Sequence, residues 1–217
     1  NFAHSPVAAL IAGHLAAACG AEQQPAPESV ESVAESAAQA AQTPQESTAS
    51  FEFTSTDYWD SGITFHVTSP NSGSINLVTI TPSGLEIDNT PIEVEADGTV
   101  TGAEVADLNA DGSPEIYVYV TSAGSGSYGS LVAYGANEKK SLSAISLPDL
   151  APGTPGAEGY QGHDEFAVVE NRLVRRVPVS REGDSNSAPT GQTRQLNYRL
   201  VAGEAGWLLR LDNVSGS

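Results

Sequence analysis

The chain has 217 residues, with 27 Asp and Glu against 9 Lys and Arg, for a net charge of −18. That balance argues against nucleic acid and anionic membrane surfaces as partners, because both reward clustered cations; it favours a basic partner or simple solubility. A single cysteine, Cys19, excludes an internal disulfide.

At the start of the chain, Pro6 to Ala18 reads PVAALIAGHLAAA. It falls short of the ~18 apolar residues of a transmembrane helix and reads as the apolar core of a secretory signal. Leu15-Ala-Ala-Ala-Cys19-Gly follows, similar to a bacterial lipoprotein processing site, with Leu15 one place earlier than the pattern prefers. An unpaired cysteine in an exported protein calls for an explanation, and lipidation of Cys19 supplies one; ordinary cleavage after small residues is the alternative. A periplasmic location follows from residues 1–19, as an outer-membrane lipoprotein where Cys19 carries the lipid, with membrane attachment only through that anchor. Residues 20–50 hold five Glu, no Lys or Arg and no aromatic residue. They cannot bury enough apolar surface to offset their ordering entropy, which predicts a disordered tether.

From Phe51 to Ser217 short alternating runs predict one all-β domain. The runs are ITFHVT at 63–68, SINLVTIT at 74–81, EIYVYVT at 115–121, SLVAYG at 130–135 and EFAVVE at 165–170. RLVRRVPV at 172–179, QLNYRLV at 195–201 and GWLLRL at 206–211 continue the series. Turn residues separate them, including Pro82-Ser-Gly84, Asp97-Gly98, Asp111-Gly112 and Glu170-Asn171. Regularly spaced short strands of period two predict an antiparallel β-sandwich or barrel, with helices minor. Loops at 148–162 and 181–192, rich in Gly, Pro and Ser, interrupt the pattern, and Pro178 suggests a strand end or edge.

Two loops carry candidate chemistry. Asp107-Leu-Asn109-Ala-Asp111-Gly112 places oxygen-bearing side chains at alternate positions, as Ca²⁺ sites do, yet position twelve of an EF-hand loop would be Val118. Asp107, Asn109 and Asp111 could hold calcium; the alternative is a hairpin whose Asp and Asn side chains bond local backbone N–H groups. The second loop, Gly124-Ser-Gly126-Ser-Tyr-Gly129, matches G-x-G-x-x-G but lies between two strands, where a dinucleotide site would open a helix. A kinase reading lacks V-A-I-K, H-R-D and D-F-G. His66 and His163 have no partner at ligand spacing, and no nucleophile elbow or zinc motif appears, so no active site is nominated. A hairpin built of Gly and Ser is narrow enough to enter a cleft, and Tyr128 is the kind of anchor enriched in binding hot spots.

The stretch EADGTVTGAEVADLNADGSPEIYVYVTSAGSGSYGSLVAYG, then GYQGHDEFAVVENRLVRRVPV, APTG and GEAGW, resembles the periplasmic inhibitors of invertebrate-type lysozyme. The resemblance runs from about Thr81 to Leu208. It implies an all-β, sandwich-like homodimer without enzymatic activity or cofactor, and a loop that enters the lysozyme cleft. Ser125 and Tyr128 are then the residues implied to reach the catalytic carboxylates, with Gly124, Gly126, Ser127 and Gly129 shaping the loop. A calcium-stabilised β adhesion or carbohydrate-binding module is the rival expectation.

Overall fold

Period-two alternation governs the domain, and two separate cores decide which faces it buries. The computed structural model describes residues 50–216; the expected signal segment with Cys19, and the tether up to residue 49, lie outside the described residues. Four antiparallel strands form the first sheet in the order β1 (Phe51–Thr54), β2 (Thr64–Ser69), β3 (Ile75–Ser83) and β4 (Ile92–Asp97). The second sheet draws on β5 (Thr99–Ala106), β6 (Glu115–Thr121), β7 (Gly129–Asn137), β8 (Ser141–Ser146), β9 (Glu165–Val169), β10 (Arg172–Pro178), β11 (Thr193–Ala202) and β12 (Trp207–Ser215). Its order is β5-β6-β7-β8-β12-β11-β10-β9. Among the described residues the one helical element is a 3-10 turn at Tyr58–Asp60.

The expected antiparallel sandwich is therefore present, with one departure. Strand β12 joins β8 in parallel, through the pairs Trp207↔Ile145 and Leu208↔Ser146. After β8 the chain crosses to the far edge and returns as a meander, β9 to β12, which brings β12 back beside β8 in the same direction. The long sheet curls until its edges meet. Glu104 on β5 accepts the Val168 N–H of β9 at 2.8 Å, so a side chain closes what strand pairing leaves open.

Phe65, Val67, Val78 and Ile80 of the short sheet pack against Ile116, Val118 and Val120 of β6. Tyr117 and Tyr119, on the opposite face of β6, pack inside the curled sheet with Leu173, Val177, Leu196, Tyr198 and Leu209. Strand β6 is thus buried on both faces. Each fully buried Ile, Leu or Phe there contributes roughly 1.5–3 kcal/mol. Proline fits as expected: β10 ends at Pro178, inside the sheet rather than at its edge.

Gly98 alone links β4 in one sheet to β5 in the other. Its φ is +132°, and a Cβ would stand 2.2 Å from the Thr121 carbonyl oxygen. Gly98→Ala should therefore lower stability by about 2 kcal/mol or more, read as a lower urea midpoint with an unchanged slope.

Candidate binding loop and its supports

Strands β6 and β7 pair up to Thr121↔Gly129, which fixes both ends of the loop at residues 122–128. Three bonds shape it from within. Ser122 N–H donates to the Tyr128 carbonyl at 2.9 Å, and Ser127 N–H to the Gly124 carbonyl at 3.1 Å. Tyr128 N–H donates to Ser122 Oγ at 3.0 Å. Ser127 turns the chain with a φ of +42°, a conformation few side-chain-bearing residues adopt.

The hairpin reading is right about the strands and incomplete about the loop. Gly124, Ser125 and Tyr128 are exposed, but Gly126 is buried. Its carbonyl accepts the His163 N–H at 2.7 Å. Gly162, at φ +94°, lies so close that a Cβ there would stand 2.0 Å from the Gly126 oxygen. The loop therefore rests on the segment Tyr160–Asp164. The long loop after β10 adds a third side: Asn186 Nδ2 donates to Ser125 Oγ at 3.4 Å, and His163 Nε2 lies 2.6 Å from the Asn186 carbonyl oxygen. His163 thus serves as a connector between loops.

Beneath the loop is a buried charge pair. Arg175 is 4% exposed, and its Nε donates to Asp164 Oδ1 at 2.5 Å. The other oxygen, Asp164 Oδ2, accepts the Gly129 N–H at 2.7 Å and the Tyr160 hydroxyl at 2.8 Å. Tyr160 Oη in turn accepts from Arg175 Nη2 at 2.7 Å. The guanidinium carbon lies 5.0 Å from the Tyr160 ring centroid and 5.5 Å from that of Phe166, within cation–π range. Burial is the largest single influence on Arg175 and lowers its pKa, but the Asp164 charge and hydrogen bond together with Tyr160 and Tyr198 outweigh it, and the net shift is upward. Burial also raises the Tyr160 pKa, so its hydroxyl remains a donor at physiological pH. Above the pair, the Tyr128 and Tyr160 rings meet edge to face with centroids 5.7 Å apart. A groove of about 470 Å³ opens beside them, lined by Tyr128, Leu131, Leu147, Leu150, Tyr160 and Arg175.

The acidic loop between β5 and β6 is built differently. Asp107 accepts the Asp111 N–H at 3.1 Å and the Gly112 N–H at 2.8 Å. Asn109 Oδ1 accepts the Asp111 N–H at 3.1 Å, and Asp111 Oδ1 accepts the Ser113 N–H at 2.8 Å. These three side chains close the turn on its own backbone, and among the described residues no group of three or more His, Cys, Asp or Glu is placed to hold a metal ion. Glu115 stands below them, 1% exposed, accepting the Leu108 N–H at 2.8 Å and the Tyr117 hydroxyl at 3.3 Å. Burial pushes its carboxyl up to about 8, and the Asp107 and Asp111 charges add to the rise. His66 lies on the outer face of β2, its Nδ1 2.9 Å from Thr54 Oγ1.

Sequence reasoning found the loop but missed Asp164, Arg175 and Tyr160, whose meeting depends on the β9–β10 hairpin. No curated protein and no solved structure matches the chain. Residues 90–154 match the family model described as periplasmic lysozyme inhibitor of I-type lysozyme, a family of inhibitor proteins, and this identifies the family that the chain resembles across β4 to β8 and both candidate loops.

Proposed function

We propose that this protein inhibits invertebrate-type lysozyme in the periplasm by placing the 122–128 loop in the enzyme's cleft. The carrying observation is that the family match spans this loop together with both strands that hold it. A lysozyme cleft presents two carboxyl groups, one protonated and one ionised, among positions shaped for sugar rings. The exposed Ser125 hydroxyl can donate to one carboxyl and accept from the other. Tyr128, 45% exposed, can cover sugar-binding surface while its hydroxyl stays hydrogen-bonded. Net negative charge would speed the encounter with a cationic enzyme. The inhibitor acts by occlusion and turns over no substrate, which protects the peptidoglycan of the producing cell. A homodimer and a lipid anchor on Cys19 belong to the same reading.

The test is a peptidoglycan-clearing assay with the purified chain against invertebrate-type and chicken-type lysozymes. Dose-dependent loss of invertebrate-type activity is the expected result; no effect on either enzyme would overturn it. Ser125→Ala or Tyr128→Ala should each weaken inhibition by about 2 kcal/mol or more with an unchanged thermal melt. Normal inhibition by both variants would remove the loop from the mechanism. The calcium-stabilised alternative predicts a thermal melt that a chelator lowers, whereas the inhibitor reading predicts a melt indifferent to chelator.

A further inference from the structure

The loop at 122–128 is mostly glycine and serine, and such a sequence left to itself samples many conformations. Any loop that binds only in one of them has its affinity reduced by the fraction of time spent elsewhere. The bonds within the loop involve exposed groups, which water can replace. Two bonds reach it from outside with shielded acceptors. His163 N–H donates to the carbonyl of the buried Gly126, and Gly129 N–H donates to Asp164, whose side chain is 0% exposed and is the one side chain of the two.

We infer that Asp164 is the positioning residue of this loop, holding Tyr128 and Ser125 in a binding-ready arrangement before any partner arrives. This rests on the inhibitor reading above for its functional consequence, and on geometry alone for its structural part. Gly129 is the first residue of β7 and follows Tyr128 directly, so the Asp164 bond to its N–H sets where Tyr128 leaves the sheet. The fit is tight: a Cβ on Gly129 would stand 2.5 Å from Asp164 Cβ and 2.8 Å from Phe166 Cε2. Asp164 cannot drift, because Arg175 holds its other oxygen from below. Tyr160 completes the support, bonding Asp164 through its hydroxyl and meeting the Tyr128 ring with its own. One step along the chain, the His163 N–H holds the Gly126 carbonyl. Two consecutive residues, His163 and Asp164, thereby grip the loop at its middle and at its end. Neither makes contact with a partner in this scheme; they act through Tyr128 and Ser125.

The experiment compares the full chain with Asp164→Asn and Tyr160→Phe, reading amide hydrogen exchange residue by residue and lysozyme inhibition in parallel. Tyr160→Phe keeps the ring contact and removes the hydroxyl alone, so it remains informative if Asp164→Asn folds poorly. The expected result in Tyr160→Phe is exchange at Gly129 and His163 faster by about tenfold or more, with β2 and β3 amides unchanged. In Asp164→Asn, which also breaks the buried ion pair, exchange should rise by a larger factor at Gly129 and His163 than at β2 and β3. Inhibition should weaken by a similar factor through a slower association rate, because fewer molecules present the ready loop. A merely structural role would instead speed exchange at the loop and at β2 and β3 by one common factor. Native exchange at Gly129 in both variants would overturn the inference, as would faster exchange there with undiminished inhibition. Should the unaltered chain fail to inhibit, the functional proposal falls, and exchange at Gly129 still decides whether Asp164 positions the loop.

Discussion

Arg175→Ala is expected to lower the free energy of unfolding by about 3–5 kcal/mol, the range for removing one partner of a buried ion pair. The size follows from what is left behind. Asp164 has no exposed side-chain surface, so water cannot replace the lost guanidinium, and the carboxylate keeps only Gly129 N–H and the Tyr160 hydroxyl. The Tyr160 hydroxyl loses a donor as well, and the cation–π contacts to Tyr160 and Phe166 disappear. Urea unfolding followed by tryptophan fluorescence would measure the loss. Arg175→Lys should recover only part of it, because a lysine offers one charged centre where the fork of Arg175 reaches both Asp164 and Tyr160. A loss under about 1 kcal/mol for the alanine variant would mean that the pair is far better hydrated than its burial indicates.

The same arginine shows how far the sequence could be read. In RLVRRVPV the positions Leu173, Arg175 and Val177 share one face of the strand, and that face points into the curled sheet. An inward arginine between two core residues signals a buried partner. Which carboxylate serves cannot be deduced, because Asp164 precedes β9 and meets Arg175 only once the β9–β10 hairpin has formed. Strand β3 shows the opposite limit. Its alternation was legible, yet Ile75 and Leu77 face solvent at 64% and 42% exposure while Asn76 is buried. Asn76 goes inward because its amide bonds the carbonyls of Gly73 at 2.8 Å and Gly98 at 2.6 Å, and its oxygen accepts the Ser72 N–H. Period two predicts two faces without saying which one is core when a turn-closing side chain outweighs an aliphatic one. EIYVYVT predicts a strand with the observed limits, Glu115 and Thr121, but its burial on both faces depends on a second sheet that the run itself does not announce. The Gly124–Gly129 loop was found because glycine density is local. Its support was missed because the three segments that meet there come from residues 122–129, 160–164 and 186.

Stability should fall as pH rises from about 4.5 to about 8, and Glu115 should account for a separable part of that slope. Its carboxyl titrates near 4.5 in an ordinary setting and near 8 in the fold, because burial penalises the charged form. Between those values the folded chain holds a proton that the unfolded chain has released. The linkage relation then makes unfolding easier with each step up in pH, by at most roughly 1.4 kcal/mol per unit for one group. Below the lower value both states are protonated and the contribution is fully present; above the upper value it is lost. Other carboxylates in a chain of net charge −18 add slopes of their own, so the decisive measurement is a difference. Glu115→Gln keeps an oxygen for the Leu108 N–H and the Tyr117 hydroxyl and cannot ionise. Its unfolding free energy should track the parent at pH 4 and exceed it at pH 8 by an amount on the order of a few kcal/mol. Parallel curves for the two proteins would show that Glu115 ionises in the fold as easily as in water. A gap that widens across the window would mean that the acidic turn between β5 and β6 carries a buried acid kept neutral by its surroundings. Burial is the main reason it stays neutral, and the charges of Asp107 and Asp111, whose carboxylates close the turn above it, add to the effect.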